Sequence, residues 1–238
     1  KIDELDKKLK DLDYKQTEML MHVPNIAPRS PEGKDSSDNV VEKDGPIPFD
    51  YYTKNDDFAR VDHKTLGERL GIFDFERGAK ISGSGFPVYR GLGSRLERAL
   101  IQFFLDEHQK NGFEEFTPPY LVTRNTMRGT GQLPKFEEDM YRCDKDDDLF
   151  LIPTAEVPLT NLYAGEVIPE SELPKRICAY SACFRREAGS YGKDTRGLLR
   201  LHQFNKVEMV YFAHPEHSYE DHEELTRFGE KLLEKLGL

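Results

Sequence analysis

The chain has 238 residues and a formal net charge of -10, because 44 acidic residues outnumber 34 basic ones. This length suits one large domain plus an appendage, and the acidic balance argues against general nucleic-acid binding, which requires a basic surface. No apolar run approaches the ~20 residues of a membrane span, and no signal peptide opens the sequence. Three cysteines give no disulfide framework, so we expect a protein of a reducing compartment, the cytoplasm.

The first segment, residues 1–22, carries an apolar stripe. Its members Ile2, Leu5, Leu9 and Leu12 follow the spacing of a coiled-coil seam. An ordinary amphipathic helix explains two heptads equally well. Residues 23–48 are rich in Pro, Gly, Ser and Asp, which predicts a linker.

The next stretch predicts a helix between short extended segments. Asp62 is placed to cap a short helix that Gly71 ends, and residues 79–89 are strand-like. A turn at Gly91 leads into a helix over 95–110. Its apolar positions, which we expect to be buried, are Leu96, Leu100, Phe103 and Phe104. This glycine-rich turn could also be interpreted as a phosphate-binding loop, but the sequence lacks the Lys-Ser/Thr pair that such loops need.

The chain then continues as a predicted strand over 113–122. Pro118 and Pro119 each remove a ladder donor, so this strand suits a sheet edge or a subunit boundary. A second apolar strand, 149–152, precedes Thr154 and Glu156. Strand alternation would place both on one face, whereas a helix cap is an equally simple explanation of the pair.

Residues 176–210 read as two long strands joined by a Gly- and charge-rich loop over 188–199, followed by an amphipathic helix over 217–238. Because side chains alternate along a strand, pairing of the two strands would bring two arginines, two carboxylates and an aromatic ring to one face. These residues are Arg185, Glu187, Arg200, Phe204 and Glu208. Such a face suits a nucleotide, although Arg185 and Glu187 alone are more often an ion pair.

Four stretches carry a resemblance to a known family. The sequence FRREAGSYGKDTRGLLRLHQFNKVE, residues 184–208, resembles motif 2 of the class II aminoacyl-tRNA synthetases in its seryl-tRNA synthetase form. NGFEEFTPPYLV (111–122) is similar to motif 1, and TGQLPKFEEDMY (130–141) and PTAEVPLTNLYAGE (153–166) also agree with that family. The third motif of the class is not found after Glu208, so we expect a fragment.

The resemblance implies an α+β fold, an antiparallel sheet of the class II synthetase type flanked by helices, with an N-terminal coiled-coil stub. Residues 1–22 would be the end of a helical tRNA-binding arm, 23–48 a linker and 49–238 an incomplete catalytic core. The implied activity is that of a serine–tRNA ligase, which forms seryl-adenylate from L-serine and ATP and transfers the seryl group to tRNA-Ser; charging of tRNA-Sec is left open. The alternative is a synthetase-like paralogue without aminoacylation activity, either a carrier-protein ligase or a binding module.

The resemblance also implies site residues. Arg185 would be catalytic. The ATP-binding residues would be Arg185, Arg186, Glu187, Arg200, Leu201 and Phe204. The serine-binding residues would be Thr154, Ala155, Glu156, Arg185 and Glu208. Magnesium would accompany ATP, but no metal ligand is assigned within this chain.

The implied partners are L-serine, tRNA-Ser and a second copy of the chain. The homodimer would form through the motif 1 region, that is, helix 95–110, strand 113–122 and Pro119. Other metal signals are weak: residues 143–148 lack the glycine and glutamate of a calcium loop and better suit a solvated hairpin. His214, His217 and His222 fit no zinc spacing.

Overall fold

A computed structural model describes residues 2–26, 32–43, 61–143, 147–187 and 197–238. The helices are α1 (Ile2–Leu20), α2 (His63–Arg69), α3 (Phe75–Ser82), α4 (Leu92–Lys110), α5 (Arg124–Gly129), α6 (Glu156–Thr160) and α7 (Ser218–Leu236). The strands are β1 (Phe73–Asp74), β2 (Val88–Tyr89), β3 (Glu114–Phe116), β4 (Leu121–Thr123), β5 (Leu149–Leu151), β6 (Lys175–Phe184) and β7 (Gln203–Phe212). The chain divides into two compact units, the first within residues 1–56 and the second over 57–237.

The first unit contains α1 and a short 3-10 helix, Ser36–Asp38. Acidic residues in the first turn of α1, Asp3 and Glu4, oppose the positive end of the helix dipole. Helix α1 confirms the helix predicted within residues 1–22. Its apolar stripe lies exposed, with Leu5 60% and Leu9 58% accessible. A coiled coil remains a prediction.

The centre of the second unit is a three-stranded sheet in the order β3-β6-β7. Strands β6 and β7 pair antiparallel over ten residues each, with Cys183 opposite Phe204 and Ala179 opposite Glu208. This confirms the predicted pairing of the two long strands within residues 176–210. Strand β3 joins β6 in parallel. Two further antiparallel pairs, β1 with β2 and β4 with β5, complete the α+β architecture.

Alternation along β6 and β7 separates two faces. One face packs against α4 and α7 in a core that contains Leu105, Phe113, Cys178 and Phe228. The rings of Phe113 and Phe228 meet edge to face at 5.5 Å, a favourable aromatic geometry. The opposite face, which includes Ala179, packs against α6 and carries the candidate site.

A buried carboxylate joins α4 to α7. Glu107 is 7% exposed and accepts hydrogen bonds from Lys110 on its own helix and from Lys235 on α7. These bonds lower the pKa of Glu107 below its ordinary value. Gly237, in the left-handed region at φ 73°, ends α7 close to the predicted boundary.

Three predicted elements were wrong in their bounds or type. Residues 79–89 are not one strand, because Asp74 caps α3 through the Arg77 amide and Gly83 ends that helix, which leaves only β2 extended. The helix predicted over 95–110 begins earlier, at Leu92, after Gly91 at φ 53°. Strand 113–122 is two short strands, since the region of Pro118 and Pro119 interrupts the ladder.

The prediction that Leu96 is buried was also wrong. Leu96 is 56% and Leu92 71% exposed on this single chain. Leu100, Phe103 and Phe104 are half-buried, and Leu105 is instead the buried large apolar residue of α4. The apolar surface near the start of α4 is therefore open for contact with another molecule. None of the described helices combines the length and apolar character that spanning a bilayer requires.

Candidate active site

Arg185 lies against Phe204, whose side chain shares one face of β7 with that of Glu208, as alternation along this strand predicted. The Arg185 guanidinium lies 5.0 Å from the centre of the Phe204 ring, a cation–π contact. Its Nε also donates to the carbonyl of Pro153 at 3.3 Å. Arg185 thus joins the end of β6 to the turn that precedes α6.

Two neighbouring cavities share Arg185, Glu187 and Arg200. The first, of about 400 Å³, also has Gln132, Thr154, Glu156 and Lys206 in its wall. The second, of about 390 Å³, is lined in addition by Tyr89, Glu97, Leu201, Phe204 and Asn205. We call them the polar cavity and the aromatic cavity, respectively. A ligand with a small polar part and an aromatic part would occupy both and meet cations where they join.

Two residues in the wall of the polar cavity, Thr154 and Lys206, contact the carboxylate of Glu208, which itself lines neither cavity. Thr154 Oγ1 donates to Glu208 Oε2 at 2.5 Å, and Lys206 Nζ lies 2.5 Å from the same oxygen. Thr154 also accepts from the amide of Glu156 at 3.2 Å. Strand alternation does not place this pair, because β5 ends at Leu151 and Thr154 is buried while Glu156 is exposed. The helix-cap explanation holds in part, since Thr154 contacts the first residue of α6.

Arg185, Glu187 and Arg200 reach the site from outside the strands. Strand β6 ends at Phe184 and β7 begins at Gln203, so the prediction that strand alternation places these three residues was wrong. Instead, the Arg185 amide donates to the His202 carbonyl at 2.9 Å, which continues the ladder for one step. Glu187 adopts φ 50°, and its Oε2 accepts from Arg200 Nη1 at 3.1 Å. This ion pair lies at the junction of the two cavities.

Three other predicted residues contribute less directly. Ala155 is fully buried in the core with Ile177 and Ala179, so its side chain supports the site from behind. Leu201 is 6% exposed and lies in the wall of the aromatic cavity. Arg186 is exposed and lines neither cavity, and its amide donates to the Asp139 carbonyl at 2.9 Å.

His202 supports the backbone at Arg185. Its Nδ1 lies 3.0 Å from the Arg185 carbonyl oxygen, and its ring stacks on Phe86 at 5.1 Å. The φ of Gly85 is 81°, and a Cβ there would lie 2.5 Å from the imidazole, so only glycine fits. Three segments distant in sequence thereby fix the point where Arg185 leaves the sheet.

Several lining residues had not been assigned a role from the sequence. Lys206 lies between Phe204 and Glu208 on the same face of β7, so strand alternation alone could have identified it. Gln132 belongs to the stretch 130–141, which the resemblance included without a role. Tyr89 and Glu97 lie in elements whose local patterns predicted structure but gave no sign of a binding site. Burial and the nearby Glu97 carboxylate raise the pKa of the Tyr89 hydroxyl, which keeps it a neutral donor.

Within the described ranges, no group of three or more His, Cys, Asp or Glu side chains is arranged to hold a metal ion. Part of the 143–148 loop lies outside those ranges, but Asp148 pairs with Arg124 and Arg142. His214 and His217 contact Glu170 and Glu220, respectively. Residues 188–196 of the predicted loop, with Lys193 and Arg196, lie outside the described residues.

The arrangement can bind and orient a ligand with a phosphate. Arg185 and Arg200 stand where the two cavities meet, so an anionic group there would face two guanidinium groups, which match phosphate oxygens well. The Phe204 ring offers a flat surface on one side. Carboxylates and a threonine offer acceptors for an ammonium or hydroxyl on the other side.

Residues 138–238 match the family model described as the tRNA synthetase class II core domain (G, H, P, S and T). The chain is 53% identical over 240 residues to a serine–tRNA ligase of Chloroherpeton thalassium, which covers all of this chain and 55% of that relative. It is 51% identical over 235 residues to a serine–tRNA ligase of Clostridium botulinum, and this alignment covers 98% of this chain and 54% of that relative. The chain therefore spans little more than half the length of these curated relatives.

Two solved structures share the fold. Seryl-tRNA synthetase from Pyrococcus horikoshii, complexed with ATP, aligns with a TM-score of 0.83 and 36% identity, covering 99% of this chain and 56% of that one. The cytoplasmic serine–tRNA ligase of Naegleria fowleri, in complex with AMP, aligns with a TM-score of 0.87 and 26% identity, covering 99% of this chain and 56% of that one.

Proposed function

Because the chain belongs to the class II tRNA synthetase family and is similar throughout to serine–tRNA ligases, we propose that the full-length protein is a serine–tRNA ligase. It activates L-serine with ATP and transfers the seryl group to tRNA-Ser. The observation that carries the proposal is the position of Arg185, between the Phe204 ring and Pro153 in the wall of the polar cavity, in a chain 53% identical to such a ligase. No observation favours a paralogue without aminoacylation activity.

ATP binds in the aromatic cavity. The adenine stacks on Phe204, and Glu187 accepts from the exocyclic amine, while Leu201 closes the wall. Stacking on an aromatic face is worth about 1–3 kcal/mol for a nucleobase. Arg185 and Arg200 meet the phosphates at the junction. Arg186, which is exposed and lines neither cavity, would meet only an outer phosphate or the ligand's solvent-exposed end.

Serine binds in the polar cavity, where Thr154, Glu156 and Glu208 meet its ammonium and hydroxyl groups. Ala155 contributes by packing beneath the turn that holds Thr154. A site built to hydrogen-bond a hydroxyl discriminates strongly against an analogue that lacks it, because the buried polar groups are then left unpaired. This arrangement favours serine over alanine.

The reaction joins the two cavities. A serine carboxylate oxygen attacks the α-phosphorus of ATP and pyrophosphate leaves, so negative charge develops on the phosphoryl oxygens. Arg185 lies where this charge develops and stabilises it, which makes it the catalytic residue; no general base is required. A terminal ribose hydroxyl of the tRNA then attacks the seryl carbonyl, and AMP leaves.

Magnesium bound with ATP would neutralise charge on its phosphates, and we assign no metal ligand among the described residues. The protein acts in the cytoplasm as a homodimer. The exposed Leu92 and Leu96 of α4, together with residues 113–122 and Pro119, supply the dimer surface. The apolar stripe of α1 packs in a helical arm that contacts tRNA, with residues 23–48 as its connection to the catalytic core.

Serine-dependent ATP–pyrophosphate exchange by the full-length protein tests the proposal. Arg185→Gln should lower kcat by about a hundredfold or more, because an electrostatic contact to the transition state is lost. Arg227→Gln, at an exposed arginine of α7, serves as the charge-matched control and should behave as wild type. Exchange that proceeds with alanine or threonine but not with serine would overturn the proposal, as would failure to charge tRNA-Ser.

A further inference from the structure

Gln132, a residue in the wall of the polar cavity, has a buried acceptor atom. Its side-chain Oε1 is inaccessible to solvent and has no hydrogen-bond partner within the described ranges. The residue lines the same cavity as Thr154, Glu156 and Arg185. An unpaired buried acceptor is costly and uncommon in folded proteins, so it calls for an explanation.

The backbone holds Gln132 in place. Its amide donates to the Met127 carbonyl at 3.1 Å, and its carbonyl accepts from the Phe136 amide at 2.9 Å. The next residue, Leu133, is 1% exposed and packs in the core beside Met127. The side chain of Gln132 therefore starts from a fixed point beside the cavity.

The far end of the same segment is also tied down. Arg124 donates to Glu137 at 3.0 Å, and its guanidinium lies 4.9 Å from the centre of the buried Phe150 ring. The Asp139 carbonyl accepts from the Arg186 amide at 2.9 Å. Residues 132–140 thus form a wall that is positioned against the site before any ligand binds, which lowers the entropic cost of binding.

Gln132 Oε1 offers the polar cavity an acceptor in addition to the Glu156 carboxylate. Glu208 Oε2 already accepts from Thr154 and pairs with Lys206, which leaves that oxygen little capacity for a ligand. Free serine brings an ammonium with three N–H donors and a hydroxyl with one. We infer that Gln132 is a serine-binding residue whose side-chain amide turns into the polar cavity, so that its Oε1 accepts a hydrogen bond from one of these donors of bound serine. The inference rests on the proposed function and adds a contact to it.

Gln132→Met in the full-length protein tests this contact, since Met has a similar length but lacks the amide acceptor. The KM for serine in ATP–pyrophosphate exchange should rise by about 10- to 100-fold, the effect of one lost hydrogen bond to a charged or buried group. The KM for ATP should stay within twofold. Because the variant removes an unpaired acceptor, its thermal midpoint should not fall, whereas a purely structural role predicts a lower midpoint.

Thr130→Val is the matched control. Thr130 Oγ1 is the second buried side-chain atom in the described part of the chain that lacks a partner, but Thr130 lines neither cavity. This variant should leave the KM for serine unchanged.

The ratio of serine to alanine use identifies the donor. A fall in that ratio for Gln132→Met indicates contact with the hydroxyl, and equal losses for both amino acids indicate contact with the ammonium; either supports the inference. An active wild type with an unchanged KM for serine in Gln132→Met would overturn this inference alone. A wild type without serine-dependent exchange would overturn the proposed function as well.

Discussion

Replacement of Thr154 by valine is the sharpest test of how the polar cavity is built. The substitution keeps the side-chain volume and removes only the hydroxyl. In the folded protein Thr154 is 4% exposed, donates to Glu208 Oε2 at 2.5 Å and accepts from the Glu156 amide at 3.2 Å. Both bonds are lost together, so Thr154→Val should destabilise the domain and weaken serine binding.

The expected magnitude follows from these two bonds. A hydrogen bond to a charged group contributes about 1.5–3 kcal/mol, and one to a backbone amide about 1 kcal/mol. Glu208 keeps Lys206 as a partner and its side chain is 20% exposed, so the cost falls toward the lower end, about 2–3 kcal/mol in total. For a domain of this size, that corresponds to a drop of roughly 5–10 °C in the unfolding midpoint.

Thermal unfolding followed by circular dichroism measures the drop, and serine-dependent exchange measures binding. Thr154→Ser keeps the hydroxyl and should retain most of both properties. Thr160→Val makes the same change at an exposed position at the end of α6 and should leave the midpoint within about 1 °C. If Thr154→Val shifted the midpoint no more than Thr160→Val, the hydroxyl would not support the cavity as described.

Two further predictions concern stability. Gly78→Ala should lower the free energy of unfolding by about 3 kcal/mol or more, since a Cβ at Gly78 would lie 1.8 Å from the Phe86 carbonyl oxygen. Gly229→Ala in α7, where a Cβ would have no atom within 4 Å, should instead raise it by about 0.5–1 kcal/mol. Urea denaturation measures both variants, and equal effects would contradict the packing at α3. Glu107 has a folded-state pKa below its ordinary value of 4.5, so the stability it contributes is present above pH 4.5 and is lost as pH falls through the lower folded-state value. Glu107→Gln should therefore be less stable than wild type at pH 7, and the difference between their thermal midpoints should shrink below pH 4.5; a constant difference would exclude this linkage.

The sequence determined the elements whose signals are local. Alternation along β6 and β7 placed Phe204 and Glu208 on one face, and the paired register confirmed it. Asp62 was correctly identified as a helix cap, since it accepts from the Thr65 amide at 3.0 Å. Such signals depend on neighbours two to four residues apart, so they can be read without a fold.

Only the tertiary structure decided how Arg185, Glu187 and Gln132 enter the site. The first two lie beyond the strand end, where no periodicity predicts a side chain's direction, and contacts with distant segments position them instead. The bond from Thr154 to Glu208 spans 54 residues. Pairs so far apart in sequence are brought together by sheet register and core packing, which composition and spacing do not specify. The sequence therefore identified the types of residue in the site, and only the fold determined which of them lie together.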